Sequence, residues 1–323
     1  METQPANYKT PVDPEIKENP YLSYYYVPLG ILKEEEFKEF EEKMKESLPI
    51  TFRINSKDEN RERLVKFIED FINQYPELKG ETLKQICWYP SGLAYEFSVS
   101  RAELRKNENY KRFHQFLVRE ADLSRIFRQE AVSMIPTLML DVQPHHLVLD
   151  MCAAPGNKSA QLLEALHGHG TVKIPEGAVI SNDADAKRAM MLVNNTTGIN
   201  SPALIVTNHK GQTFPKLFTD LEGTGLEEAK FDRILCDVPC SGDGTFRKNM
   251  LLWKNWHPRL GTSLHTLQLM ILESAVKKLK VGGIVVYSTC SMNPIEDEAV
   301  LQAALNKFKG CLELVDLREK LPN

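Results

Sequence analysis

No apolar run in this chain approaches the ~20 residues that a membrane-spanning helix requires. The run from Met134 to Leu140 stops at Asp141. The opening segment METQPANYKT lacks a basic start followed by an apolar stretch, so no secretory signal is visible. Cysteine is sparse, six in 323 residues, which excludes a disulfide scaffold and makes free thiols in a reducing compartment the expectation. Basic charge is not in excess: 40 Lys and Arg stand against 44 Asp and Glu, for a net charge of −4. The chain as a whole therefore lacks a nucleic-acid-binding profile, and any such surface must be local. There is no CxxC pair and the eight His are not spaced as ligands, so no metal site is expected. Internal repeats are absent. What remains is ordinary globular composition, 42% hydrophobic and 26% charged, in a length that suggests two domains.

The first 20 residues carry four prolines and read as an irregular lead-in. Glu34–Ser47 is charged with Phe37, Phe40 and Met44 at helical spacing; Ile50–Asn55 reads as a strand; Arg61–Tyr75 places Leu64, Ile68, Phe71 and Ile72 on one helical face. Residues 1–140 are expected to form an α+β accessory region. From Leu147 the pattern changes to short apolar runs, most followed by a helical stretch. Strands are expected at Leu147–Met151, Ala178–Asn182, Ala203–Thr207, Phe231–Cys236, Ile284–Ser288 and Leu312–Leu317. Helices are expected at Lys158–Leu166, Ala186–Asn195, Leu264–Leu279 and Glu296–Phe308. Alternation of this kind implies a parallel, doubly wound α/β sheet over residues 141–323. Ligands of such sheets sit beyond the carboxyl ends of the strands.

After the first of these strands come Asp150, Met151, Cys152, Ala153, Ala154, Pro155, Gly156, Asn157 and Lys158. Small residues and one Gly permit a sharp turn and close approach to a ligand, and the following helix points its free N–H groups into the same space. Neither the GxxxxGK[ST] nor the GxGxxG spacing is present. Alone, this turn is explained as well by a plain strand-to-helix connection. The second strand ends at Asn182-Asp183, where an acidic residue commonly accepts from ribose hydroxyls. Asp185 reads as a helix N-cap. The pair describes a nucleoside site without a phosphate site, which fits S-adenosylmethionine better than NAD or ATP.

Two further strands end in Asp237-Val238-Pro239-Cys240 and Ser288-Thr289-Cys290. Cys87, Cys236 and Cys311 are expected to be small buried hydrophobes and Cys152 is ambiguous. Cys240 and Cys290 lie in Gly/Ser/Pro loops outside the strands, facing the cofactor crevice. Two thiols beside a methyl donor suggest methylation at C5 of cytosine. A thiolate that adds at C6 turns C5 into an enamine-like nucleophile, and a second group then assists proton loss and thiol release. Asp237 is the candidate acid near N3. The spacing alone does not order the two thiols.

DMCAAPGNKSAQL, RILCDVPCSGDGTFRKN and YSTCSMNPIEDEAV resemble three motifs of the Nop/Sun family of RNA (cytosine-5)-methyltransferases. RQEAVSMIP, FHQFLV and LPITFRIN resemble the eukaryotic tRNA branch of that family, and the resemblance covers nearly the whole chain. It implies a Rossmann-like S-adenosylmethionine-dependent methyltransferase fold. It also implies cofactor contacts from Cys152, Ala153, Ala154, Pro155, Gly156, Asn157 and Lys158, with Asp183 on the ribose and Asp237 facing cofactor and base. Cys290 would be the nucleophile and Cys240 would release the product, while Lys158 reaches the base or a nearby phosphate. The implied partner is RNA, tRNA first, acted on by a monomer in the nucleus. Ribosomal RNA is the alternative substrate, and a non-catalytic RNA-binding factor that kept the fold is the alternative class.

Two departures stand out. Where the branch has Asn-His-Asp after the third strand, this chain has Asn208-His209-Lys210. Lys210 sits at a cofactor-contact position with donors only, which would weaken cofactor binding unless it is simply a solvated loop residue. A sheet of this type also usually closes with a seventh, antiparallel strand, and none is expected here after Leu312–Leu317, so the catalytic domain reads as C-terminally incomplete. Two segments are locally basic, Arg101–Arg128 and Gly244–Arg259. The second interleaves Phe246, Trp253 and Trp256, which could stack on unpaired bases or could be core.

Overall fold

The computed structural model describes residues 19–80, 82–220 and 225–320. The irregular lead-in expected over residues 1–20 lies outside them as far as residue 18. The described elements begin with α1 (Pro20–Tyr26) and α2 (Glu34–Lys45), followed by β1 (Ile50–Ile54), α3 (Arg61–Gln74), β2 (Leu83–Gln85), β3 (Ala94–Phe97), α4 (Arg101–Lys106), α5 (Glu108–Asp122) and β4 (Ile126–Arg128). The four strands form an antiparallel sheet in the order β2-β3-β1-β4. Phe113 and Leu117 of α5 and Leu64 and Ile68 of α3 bury against Phe52, Ile54 and Phe97 of that sheet. These are the apolar positions whose helical spacing predicted the two amphipathic faces.

The second half contains α6 (Ala131–Met139), β5 (Leu147–Asp150), α7 (Asn157–Leu166), β6 (Ala178–Asn182), α8 (Ala186–Thr196) and β7 (Leu204–Thr207). A short hairpin, β8 (Phe218–Thr219) with β9 (Glu227–Glu228), precedes β10 (Phe231–Asp237), α9 (Met250–Asn255), α10 (Pro258–Lys278), β11 (Leu279–Ser288) and α11 (Glu298–Lys307). Five strands form a parallel sheet in the order β11-β10-β5-β6-β7. Neighbouring residues point to opposite layers. Leu149 and Ile234 pack with Ile271 and Leu272 of α10, whereas Val148 and Leu235 pack with Leu162 and Leu163 of α7. From β5 the chain winds one way to β6 and β7 and the other way to β10 and β11. The topological switch point therefore lies between Asp150 and Asp237, at the carboxyl ends of two paired strands.

The sixth expected strand does not form: Leu312–Leu317 carries no regular structure. Leu314 and Val315 are adjacent, and both are exposed, so neither alternating face of the segment packs on the sheet. Cys87 and Cys311 are exposed, in turns after β2 and α11, and are not the buried hydrophobes expected. Cys236 is buried in mid-sheet as expected. Phe246, Trp253 and Trp256 are buried, so the base-stacking reading of Gly244–Arg259 is overturned in favour of core.

What covers those rings is α1. Leu22 and Tyr26 bury against Phe246, Trp253 and Trp256, with Phe37 and Met44 of α2 alongside. Asn19, which caps α1, donates to the carbonyls of Trp253 at 2.6 Å and Trp256 at 3.0 Å. The first two helices thus lie on the second half of the chain, beside the Cys240 loop.

A second junction fixes the two sheets to each other. Arg53 of β1 is buried, with its guanidinium bonded to Glu164 of α7. Its Nε also donates to Gln129 Oε1 at 2.8 Å and Nη2 to the Asn157 carbonyl at 3.1 Å. Asn157 returns a bond to the Arg128 carbonyl at 3.2 Å. The first residue of α7, and with it Lys158, is positioned by the antiparallel sheet.

Candidate active site

The turn after β5 is shaped by polar groups from β6. Asp183 is buried; its Oδ2 accepts the Ala154 N–H at 3.1 Å and faces Arg188 at 3.5 Å, and its Oδ1 accepts the Asp185 N–H at 3.0 Å. Arg188 in turn donates to the Ala154 carbonyl at 2.7 Å. Asn182, also buried, donates to the carbonyls of Met151 at 3.0 Å and His209 at 2.8 Å. Asp185 caps α8 by accepting from the Arg188 N–H. In the sequence Asn182 stands out only as the neighbour of Asp183, yet it holds three strand ends together.

This end of the sheet is acidic. Burial pushes the Cys152 thiol up to about 12, and Asp150, Asp183 and Asp237 add to the push, which places three carboxylates around one small side chain. Burial raises Asp150 to about 7, against a bond from Ser159 Oγ at 2.7 Å, while its other oxygen has no partner. S-adenosylmethionine carries a sulfonium and an ammonium against one carboxylate. A crevice rich in carboxylates, with ribose acceptor chemistry at Asp183 and no phosphate-binding loop, fits that group. Lys210 lies at the exposed end of the loop after β7, beside Asn208, whose Nδ2 donates to the Asp183 carbonyl at 2.7 Å.

Across the switch point, Lys158 Nζ bonds Asp237 Oδ2 at 2.8 Å, and Ser288 Oγ donates to Asp237 Oδ1 at 2.8 Å. The two loop cysteines meet here: Cys240 Sγ lies 3.1 Å from Cys290 Sγ and accepts the Cys290 N–H at 3.2 Å. The sulfurs are not equivalent. The hydrogen bond from Cys240 lowers the Cys290 thiol, helped by Lys158, while burial, Asp237 and Asp243 oppose it. That same bond, together with burial, holds the Cys240 thiol well up. With Cys240 as the donor in that bond, Cys290 is the better thiolate; the Cys290 N–H on Cys240 Sγ acts in the opposite direction. The groups expected at the site, Cys152, Lys158, Asp183, Asp237, Cys240 and Cys290, are thus gathered at one end of one sheet.

Other groups at the site were not anticipated. Glu296 is buried and accepts from Ser241 and Ser291, the residues that follow the two cysteines. Asp243 is buried and bonded to the Tyr26 hydroxyl and the Met292 N–H. Glu296 sits in an acidic run at a helix start, which by pattern is a solvated terminus. No metal-binding group of three or more His, Cys, Asp or Glu occurs among the described residues, and among them no helix is long and apolar enough to cross a membrane.

The family model described as 16S rRNA methyltransferase RsmB/F matches residues 137–320. A multisite-specific tRNA:(cytosine-C(5))-methyltransferase of Saccharomyces cerevisiae is 46% identical over 314 residues, 95% of this chain and 46% of that protein. A tRNA (cytosine(34)-C(5))-methyltransferase of Drosophila melanogaster is 43% identical over 314 residues, 94% of this chain and 42% of that protein. The chain spans about half the length of the curated relatives it matches. Among solved structures, a methyltransferase homologue from Pyrococcus horikoshii superposes with a TM-score of 0.64 at 28% identity, covering 89% of this chain and 78% of the other.

Proposed function

Because the chain belongs to the 16S rRNA methyltransferase RsmB/F family, we propose that it methylates C5 of cytosine in RNA, tRNA first, through a covalent bond between Cys290 and C6. The observation that carries the proposal is the 3.1 Å sulfur pair placed beside Lys158 and Asp237 at the switch point. S-adenosylmethionine, when bound at the Cys152–Lys158 turn and Asp183, supplies the methyl group from its sulfonium.

The chain's own residues do the rest. Asp237 hydrogen-bonds the N3 edge of the base, and Lys158 holds Asp237 in place. The Cys290 thiolate adds to C6, which makes C5 nucleophilic, and N3 takes a proton from the Lys158–Asp237 pair, relayed by Asp237. After C5 is methylated, its proton passes to solvent and N3 returns its proton to the Lys158–Asp237 pair; the C5–C6 double bond re-forms and the Cys290 thiolate is expelled, with Cys240 assisting by hydrogen-bonding the departing sulfur. Attack on C6 requires the cytosine to be unstacked, so the target lies in a loop, a junction or locally opened RNA. The names of the tRNA-acting relatives favour tRNA over ribosomal RNA. The test is bisulfite sequencing of tRNA and of ribosomal RNA after incubation with the protein and S-adenosylmethionine. New protected cytosines in tRNA support the proposal; protection in ribosomal RNA alone moves the substrate; none in either overturns it.

A further inference from the structure

Beneath the two sulfurs lie buried carboxylates that this reaction scheme does not use. Glu296 Oε1 accepts the Ser241 N–H at 2.8 Å and Gln268 Nε2 at 3.0 Å. Its Oε2 accepts the hydroxyls of Ser241 at 2.5 Å and Ser291 at 2.7 Å. Ser241 directly follows Cys240 and Ser291 directly follows Cys290. One carboxylate therefore grips both loops a single residue beyond each sulfur.

Asp243 ties the same loops from the other side. It accepts the Met292 N–H at 3.0 Å, and the next residue, Gly244, donates its N–H to the Cys290 carbonyl at 2.9 Å. A Cβ at Gly244 would sit 2.8 Å from that carbonyl oxygen, so the approach requires glycine. Asp243 is itself held by the hydroxyl of Tyr26, whose buried ring stacks on Trp256 at 5.4 Å. Helix α10 closes the assembly, because a Cβ at Gly261 would meet Asn293 Nδ2 at 2.3 Å and Glu296 Oε2 at 2.8 Å.

We propose that Glu296 is a positioning residue: with Asp243 and Tyr26 it forms a clamp that sets the separation of Cys240 and Cys290 and so preserves the hydrogen bond between their sulfurs. The proposal rests on the two-thiol reading above. Its physical basis is that a buried acceptor with four donors defines distances that apolar packing does not, and that a donor left unpaired there is costly. Lys158, Asp237 and Asp243 are the charged groups that also face Cys290. Of these only Asp243 belongs to the clamp.

The test is the pH profile of Cys290 alkylation by iodoacetamide, followed by mass spectrometry of the Cys290 peptide in the full chain. Cys240→Ala serves as the reference for a lost sulfur–sulfur bond. Glu296→Gln keeps the geometry, since its oxygen accepts as before and its amide donates to the two hydroxyls. Its midpoint should match wild type. Glu296→Ala and Gly261→Ala should move the midpoint up to the Cys240→Ala position. Methylation turnover should fall toward the ~10²-fold that a misplacement of about 1 Å costs, with S-adenosylmethionine affinity retained. A wild-type midpoint in Glu296→Ala overturns the clamp. Should that variant not fold, Gly261→Ala and Tyr26→Phe decide, since the first removes no polar group and the second only one donor of Asp243; unshifted midpoints in both overturn it. Shifted midpoints in a protein that methylates no RNA leave the clamp standing and remove the methyltransferase reading instead.

Discussion

Cys240 and Cys290 sit 50 residues apart in sequence, and their sulfurs lie 3.1 Å apart in space. Each follows the end of one of two paired parallel strands, β10 and β11, so the sheet register itself brings them together. With Cys240 as donor, the bond between them makes two residues of one type inequivalent. Cys290 is lowered by the hydrogen bond it receives from Cys240. Removing Cys240 should therefore raise the Cys290 midpoint and reduce its thiolate fraction near neutral pH. Iodoacetamide reactivity of Cys290 at neutral pH should fall in Cys240→Ala; equal or faster reaction would show that Cys240 is not the donor.

Asp183 is predicted to carry cofactor affinity. Its Ala substitution removes a charge-assisted acceptor, a loss of roughly 1.5–3 kcal/mol, or about ten- to hundredfold in Kd. The same change releases the Ala154 N–H and Arg188, so the turn loses its shape as well. Calorimetric titration with S-adenosylmethionine reads this directly, and unchanged affinity would take Asp183 out of the site.

Lys210 stands where an acceptor would serve the adenine amino group better. Lys210→Asp should tighten S-adenosylmethionine binding in the same titration. Equal or weaker binding would mean that the adenine is held by other groups and that exposed Lys210 is a solvated loop residue.

The Arg53–Glu164 pair is buried and ties β1 of the antiparallel sheet to α7. Arg53→Ala leaves Glu164 buried and uncompensated, at a cost of about 3–5 kcal/mol in a denaturant titration. Because Arg53 also holds the Asn157 carbonyl, Lys158 should lose its register with Asp237. A stability change under about 1 kcal/mol would indicate that the pair is relieved by relaxation or solvent.

Much of this site was legible in the sequence because its signals are local. A strand followed by small residues and Gly, an acid at the next strand end, and a Cys beyond each of two further strands are patterns that lie within a few residues. Sheet order then assembles them, and the alternation of strand and helix announces that order. The clamp was not legible, because Glu296, Asp243 and Tyr26 come from three distant segments and each has a bland local reading. The failed expectations share that cause. Trp253 and Trp256 look like a stacking platform until α1 is seen to cover them, and Leu312–Leu317 alternates like a strand but finds no sheet face to pack on.

The central claim, that Cys290 attacks and Cys240 releases, is tested most directly by trapping. Each single variant and the double variant are incubated with tRNA and S-adenosylmethionine and run on a denaturing gel with and without nuclease. Cys240→Ala should attack, methylate and stall, leaving a nuclease-sensitive protein–RNA band; Cys290→Ala and the double variant should give none. A trapped band in Cys290→Ala and none in Cys240→Ala would contradict the account by exchanging the two roles.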